Sequence, residues 1–312
     1  MVAQDREPGV GAAMKAAVIG LGSMGLGMAR SLLRAGFSVA GFDVSADAVA
    51  RLAAHGGRAA TTPADAALGA TVVVGVVVNA AQTEAVLFGE NGCAAAMAPG
   101  TVFVSSATMA PDLARRLAAR LEAMGPHYLD APMSGGAARA EEGKLTMLAA
   151  GSPAAFTIAR PALAAMTATV YELGAEPGQG AAFKMVNQLL AGVHIAAACE
   201  AMAFAARQNL DLQKVYDVIT ASAGNSWMFE NRMPHVLAGD YSPKSSVSIF
   251  TKDLGIVLDM ARGANFPVPL ASSALQMFLM TAAAGMGRDD DASVARMYAR
   301  VTGTQLPGEP SK

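Results

Sequence analysis

The stretch "KAAVIGLGSMGLGMARSLLRAGFSVAGFDVS", from Lys15 to Ser45, limits the possible folds more than any other part of the chain. Lys15 to Ile19 is a short apolar run of strand type. Glycines follow at 20, 22 and 25 with G-x-G-x-x-G spacing. Met24 to Ala35 has helical periodicity and stops at Gly36. Phe37 to Phe42 reads as a second strand that ends at Asp43. In a strand–turn–helix of this kind the first glycine permits the tight turn, the second lets the backbone approach a ligand, and the third lets helix and strand pack closely. The N–H groups that open the helix then face outward, where they attract phosphate.

The same alternation continues. "TVVVGVVVN" (Thr71 to Asn79) is apolar on both faces, as a central parallel strand is, and "TVFVSS" (Thr101 to Ser106) is another. Pro111 to Met124 is helical between them and the next strand, and "HYLDAPMSGG" and "KLTMLAAG" are expected to extend the sheet. From Ala181 the pattern is helical, broken at "AGNS", "GDYSPKSS" and "NFPVPL". The expectation is a Rossmann-type, doubly wound α/β sheet followed by an all-α C-terminal domain. The boundaries are a lead-in over 1–13, a dinucleotide-binding domain over 14–177 and a helical substrate and oligomerisation domain over 178–308.

Gly20, Leu21, Gly22, Ser23, Met24 and Gly25 are the expected cradle for a dinucleotide pyrophosphate. A carboxylate at Asp43 can accept both hydroxyls of the adenosine ribose and would repel a 2′-phosphate; no arginine follows in "VSADAV". NAD is therefore the expected cofactor rather than NADP.

The second feature to explain is "GQGAAFKMVNQLLAGVHIAA", a small-residue helix with one lysine, Lys184, in its first turns. A charge on an apolar helix is costly unless something uses it. Lys184 and Asn187 are spaced to project from one helix face, expected to meet the cofactor domain across a crevice. Poor solvation, a helix N-terminus and a nearby nicotinamide cation all lower a lysine pKa, as a general base requires. "SGG" at Ser134, Gly135 and Gly136 offers a hydroxyl and unobstructed N–H groups, a concavity for a carboxylate.

"GLGSMG", "DAPMSGG", "GQGAAFKMVNQ" and "KDLG" (Lys252 to Gly255), in that order, together resemble the β-hydroxyacid dehydrogenase family over almost the whole chain. The resemblance implies an NAD-dependent oxidation of a small hydroxy acid. It implies that Lys184 is the catalytic lysine and Asn187 its polar partner. Ser134, Gly135 and Gly136 would hold the substrate carboxylate, with Asp253 beside them. Lys252, Val78 and Asn79 would border the cofactor. The family's Ser-Thr after the "TVFV" strand is replaced here by Ser105, Ser106, Ala107 and Thr108, so that Ser106 and the backbone near Ala107 are expected at the nicotinamide. An aromatic wall position of several relatives is Ser245 here, which suggests a more polar pocket. The C-terminal segments "AGNSWMFENRMPHV", "GDYSP" and "PLASSAL" resemble the members acting on L-threonate, which implies oxidation at its C2 hydroxyl. 3-Hydroxyisobutyrate oxidation, tartronate semialdehyde reduction and a non-catalytic dinucleotide-binding role are the alternatives.

The net charge of −2 leaves no electrostatic footprint for nucleic acid or an acidic membrane. Cys93 and Cys199 have no metal-type spacing, and buried thiols in a reducing cytoplasm are expected. No His/Asp/Glu spacing points to a metal; His194, well down the helix from Lys184, is expected in the core or at an interface, and His127 and His235 have no evident acid partner nearby in sequence. The apolar helices after Lys184 favour a homodimer or homotetramer.

Overall fold

The computed structural model describes residues 14–309; the expected lead-in over 1–13 lies outside them. The chain forms two compact units, divided between Ala181 and Ala182.

The first unit holds β1 (Lys15–Ile19), α1 (Ser23–Arg34), β2 (Ser38–Phe42), α2 (Ala46–Ala54), β3 (Arg58–Ala59), α3 (Pro63–Ala67), β4 (Val72–Gly75), α4 (Ala80–Phe88), β5 (Val102–Ser105), α5 (Pro111–Glu122) and β6 (His127–Asp130). After these come β7 (Met133–Ser134), α6 (Gly136–Glu142), β8 (Leu145–Ala149), α7 (Pro153–Met166) and β9 (Thr167–Glu172). The main sheet has the order β3-β2-β1-β4-β5-β6, and its paired strands are parallel. Chain direction across the sheet reverses between β1 and β4, the place where ligands bind in open α/β sheets. Its central strands β4 and β5 are buried on both faces. Val72, Val73 and Val74 are sealed, as are Val102, Phe103 and Val104.

The apolar runs outlast the strands. Thr71 to Asn79 contains only β4, because Asn79 already caps α4 with its side chain. The expectation that "KLTMLAAG" extends the main sheet is corrected: β8 belongs to a separate sheet of order β7-β8-β9. There β7 runs antiparallel and β9 parallel to it. An isolated bridge from Asp130 to Ala150 joins the end of β6 to the turn after β8.

The second unit is helical. Its first helix, α8 (Gln179–Arg207), begins in the last residues of the first unit. α9 (Leu212–Thr220), α10 (Trp227–Ala238), α11 (Val247–Gly263), α12 (Pro269–Thr281) and α13 (Val294–Thr302) follow. Its core joins Ile195, Cys199 and Met202 of α8 to Met233, Phe250, Leu254, Leu275 and Phe278. α8 is long and apolar enough to cross a membrane by length and composition, but half of that window is buried inside the protein, as in a core helix. Both cysteines are buried free thiols, as expected.

Phe103 is a large buried wedge in the main sheet. Its ring stacks on Tyr128 with centroids 5.9 Å apart, and a Cβ at Gly75 would meet its Cζ at 2.4 Å. Both rings are fully buried. Phe103→Ala should therefore lower unfolding free energy by about 3–5 kcal/mol, read from urea denaturation.

Candidate functional site

In the first unit the expected cofactor residues gather at one sheet edge, because each follows the C-terminal end of a neighbouring parallel strand. Gly20 to Gly25 follow β1, Asp43 follows β2, Val78 and Asn79 follow β4, and Ser106 and Ala107 follow β5. The glycine turn is compressed. A Cβ on Gly25 would lie 1.8 Å from the Gly20 carbonyl oxygen, so only glycine lets α1 start so close to β1. Above Gly22 there is open space, and no side chain caps α1. The first N–H groups of α1, from Ser23, Met24 and Gly25, therefore face a cradle that fits a pyrophosphate.

Asp43 stands beside it. Oδ2 accepts from Leu21 N at 2.6 Å and Oδ1 from Ser45 N at 2.8 Å. The carboxylate is thus clamped in place, and each oxygen keeps a second lone pair for a hydroxyl. Asn79 has a structural duty. Its Oδ1 accepts from Gln82 N at 2.9 Å, while Gln82 Oε1 accepts from Val78 N at 2.8 Å. Val78 is half-exposed, Ala107 is buried, and Ser106 Oγ is buried without a hydrogen-bond partner among the described residues.

Ser134 lies in β7, opposite Thr146. Gly135 and Gly136 follow with φ of 134° and 76°, a backbone that side-chain-bearing residues adopt only under strain. Nothing lies within 4 Å of where a Cβ on Gly136 would be. Asp130, at the end of β6, was not singled out in the sequence. Its Oδ2 accepts from Gly178 N and Ala181 N, each at 2.8 Å, and so holds the start of α8. Burial raises its pKa to about 6, against the pull of those two N–H groups and of Arg115.

The second unit holds the charged cluster. Lys184 is 7% exposed. Burial pushes its pKa down to about 8, Asp253 pulls it up, and Lys252 pushes it further down. Asp253 is 1% exposed and pairs with Lys252 Nζ at 2.7 Å. Its other oxygen accepts from Gln188 Nε2 at 2.5 Å, and Asn187 Nδ2 in turn donates to Gln188 Oε1 at 3.0 Å. Asn187 itself is exposed. The buried amide in the cluster is therefore Gln188, at i+4 from Lys184 rather than at the i+3 of Asn187. Residues four apart on a helix lie one above the other, a signal present in the sequence but not used.

Ser245 precedes α11, and its carbonyl oxygen accepts from Asp291 N at 2.7 Å. His235 does have an acid partner, Asp290, 2.9 Å from Nδ1 and far away in sequence. Among the described residues no group of His, Cys, Asp and Glu could hold a metal ion.

A parallel sheet with an uncapped glycine-turn helix at its switch point, followed by a helical unit with a buried lysine among charged partners, defines the class of nicotinamide-dinucleotide-dependent dehydrogenases. Residues 15–174 match the NAD binding domain of 6-phosphogluconate dehydrogenase, and residues 178–298 match the NAD-binding domain of NADP-dependent 3-hydroxyisobutyrate dehydrogenase. L-threonate dehydrogenase of Cupriavidus necator is 53% identical over 94% of this chain and 97% of its own. That of Haemophilus influenzae is 50% identical over 93% and 96%. A solved 3-hydroxyisobutyrate dehydrogenase of Salmonella typhimurium superposes with a TM-score of 0.87 at 49% identity, over 91% of this chain and 99% of that one. The chain belongs to the β-hydroxyacid dehydrogenase family and is an NAD(P)-binding dehydrogenase.

Gln188→Leu would leave one oxygen of a buried carboxylate without its donor. Unfolding free energy should fall by about 1–3 kcal/mol, measured by urea titration. An unchanged midpoint would mean that the Gln188 amide does not hold Asp253.

Proposed function

We propose that this enzyme oxidises L-threonate at its C2 hydroxyl with NAD, using Lys184 as the acid/base. The observation that carries the mechanism is the burial of Lys184, with a pKa near 8. The substrate reading is supported by 53% identity to an L-threonate dehydrogenase over nearly the full length of both chains. A second reading, 3-hydroxyisobutyrate, is favoured by the similarity to the solved enzyme of that name.

In this reading Gly20, Leu21, Gly22, Ser23, Met24 and Gly25 bind the pyrophosphate through backbone N–H groups. Asp43 accepts the ribose hydroxyls, and its negative charge disfavours a 2′-phosphate. Val78, Asn79, Ser106, Ala107 and Lys252 border the cofactor. Ser134, Gly135 and Gly136 bind the substrate carboxylate. NAD, when bound, supplies the hydride acceptor. Lys184 Nζ takes the hydroxyl proton as the alcohol is oxidised and returns it to the carbonyl oxygen in reduction. Asn187, with Gln188, orients the polar groups beside it. Asp253 keeps Lys184 from losing its proton too readily. A homodimer or homotetramer is supported by Phe183, Val186, Leu190 and Phe204, apolar side chains exposed along α8. The two buried free thiols fit a cytoplasmic location.

Two experiments test this. Only the neutral amine can accept a proton, so kcat/KM for oxidation should rise with pH through about 8 and level off above it. Lys184→Ala should bind NADH normally yet lose about 100- to 10,000-fold in kcat. Normal turnover by a folded Lys184→Ala enzyme would remove the mechanism.

The second is a comparison of kcat/KM for L-threonate and 3-hydroxyisobutyrate, each with NAD and with NADP. A site built to hydrogen-bond hydroxyls rejects analogues lacking them by a large factor. L-Threonate with NAD should be the best combination. A preference for 3-hydroxyisobutyrate, or equal values, would overturn the substrate assignment and leave the family intact.

A further inference from the structure

Three consecutive carboxylates, Asp289, Asp290 and Asp291, lie between α12 and α13. Each has its own base. Arg296 NH1 is 2.8 Å from Asp289, and Arg232 Nε is 2.7 Å from Asp291. Asp290 takes His235 of α10, whose Nδ1 is 2.9 Å from Oδ1. His235 is 7% exposed and Asp290 is fully buried. On the other side of the ring, Lys244 Nζ is 3.0 Å from Nε2. An ammonium can only donate and a carboxylate only accept. The network therefore assigns one tautomer: Nδ1–H donates to Asp290, and Nε2 accepts from Lys244. Asp290 also accepts from the backbone N–H of Lys244 at 3.0 Å and of Ala292 at 3.1 Å. Burial alone would raise its pKa, but His235 and these N–H groups hold it below the usual carboxylate value.

This chain of groups lies under the start of α11. Ser246, the residue before that helix, makes no side-chain cap. Instead Val247 N donates to Asp289 O and Ser248 N to Gly287 O, each at 3.0 Å. Asp291 N donates to Ser245 O at 2.7 Å, and Asp290 N to Tyr241 O at 3.0 Å. The orphan N–H groups that every helix start must satisfy are thus met by the segment that His235 anchors. Lys252 and Asp253 sit in the second turn of α11.

We propose that His235, bridging Asp290 and Lys244, is a positioning residue that fixes the start of α11 and, through it, the place of the Lys252–Asp253 pair beside Lys184. The inference uses the reading of Lys184 as the acid/base only for its kinetic arm. Asp253 raises the Lys184 pKa more than Lys252 lowers it. If the start of α11 loosens, both influences weaken and the net pull of Asp253 is lost. The ionisation of Lys184 then moves to lower pH.

The test follows that ionisation in two ways. One is the pH profile of kcat/KM for oxidation. The other is a carbon-13 NMR titration of the lysine Cε resonances of the whole enzyme, with Lys184 assigned from Lys184→Arg. Three variants are compared with the unmodified chain. His235→Leu removes both hydrogen bonds. Lys244→Met removes the bridge from the loop side at an exposed position. His235→Gln keeps a donor for Asp290 and an acceptor for Lys244. His235→Leu and Lys244→Met should lower the Lys184 ionisation by about 0.5 pH unit, roughly threefold in its constant, and His235→Gln should restore it. A variant that is merely less stable loses active enzyme without moving the limb. An unmoved Lys184 titration in folded Lys244→Met overturns the proposal, and that variant decides alone if His235→Leu does not fold. The NMR arm reads the surroundings of Lys184 whether or not it carries a proton in turnover. Failure of the acid/base reading, seen as turnover by Lys184→Ala, is therefore separate from failure of this one.

Discussion

Asp253 is a charge taken almost wholly out of water, and the second unit is arranged around that fact. A buried carboxylate is tolerable only when its oxygens are taken up. Lys252 takes one and Gln188 the other, so α8 and α11 are joined by a polar contact inside the helical unit. The same carboxylate governs Lys184. Desolvation alone drives the lysine toward the neutral amine, while Asp253 favours the ammonium. Burial is the larger influence, and the pKa stands near 8, so ammonium and amine are both present near that pH.

The main sheet was legible because parallel strands covered on both faces must be apolar throughout, and "AAVI", "VVVG" and "VFVS" have that character. The glycine turn was legible because its residues answer a backbone requirement rather than a packing preference. The small sheet was not. β7 is two residues long, and β9, "TATVYE", exposes much of its length, so neither carries a period that separates it from loop. "KLTMLAAG" reads correctly as a strand and wrongly as part of the main ladder, since nothing in a strand's own residues names its neighbour.

The site divided in the same way. Lys184, Asp43 and the glycines stand out as residue types that fit poorly unless used. Gln188 and Asp130 do not, because their importance comes from one distant partner each: Asp253 for the first, the start of α8 for the second. His235 is the sharpest case. It has no nearby acid in sequence and a buried one in space. The fold hands each of the three consecutive aspartates at 289–291 a different base and keeps Asp290 and Asp291 dry.

The placement of the Ser134–Gly136 loop has an evolutionary consequence. It is carried on the small sheet, outside the ladder that aligns the strand ends bearing Gly20, Asp43 and Ser106. Lengthening or reshaping that loop disturbs two residue pairs of β7 with β8 and leaves every pairing of the main sheet as it was. Residues of that loop can therefore change while the strand ends that carry the glycine turn and Asp43 keep their places, so one part of the fold is free to vary while the other is inherited unchanged.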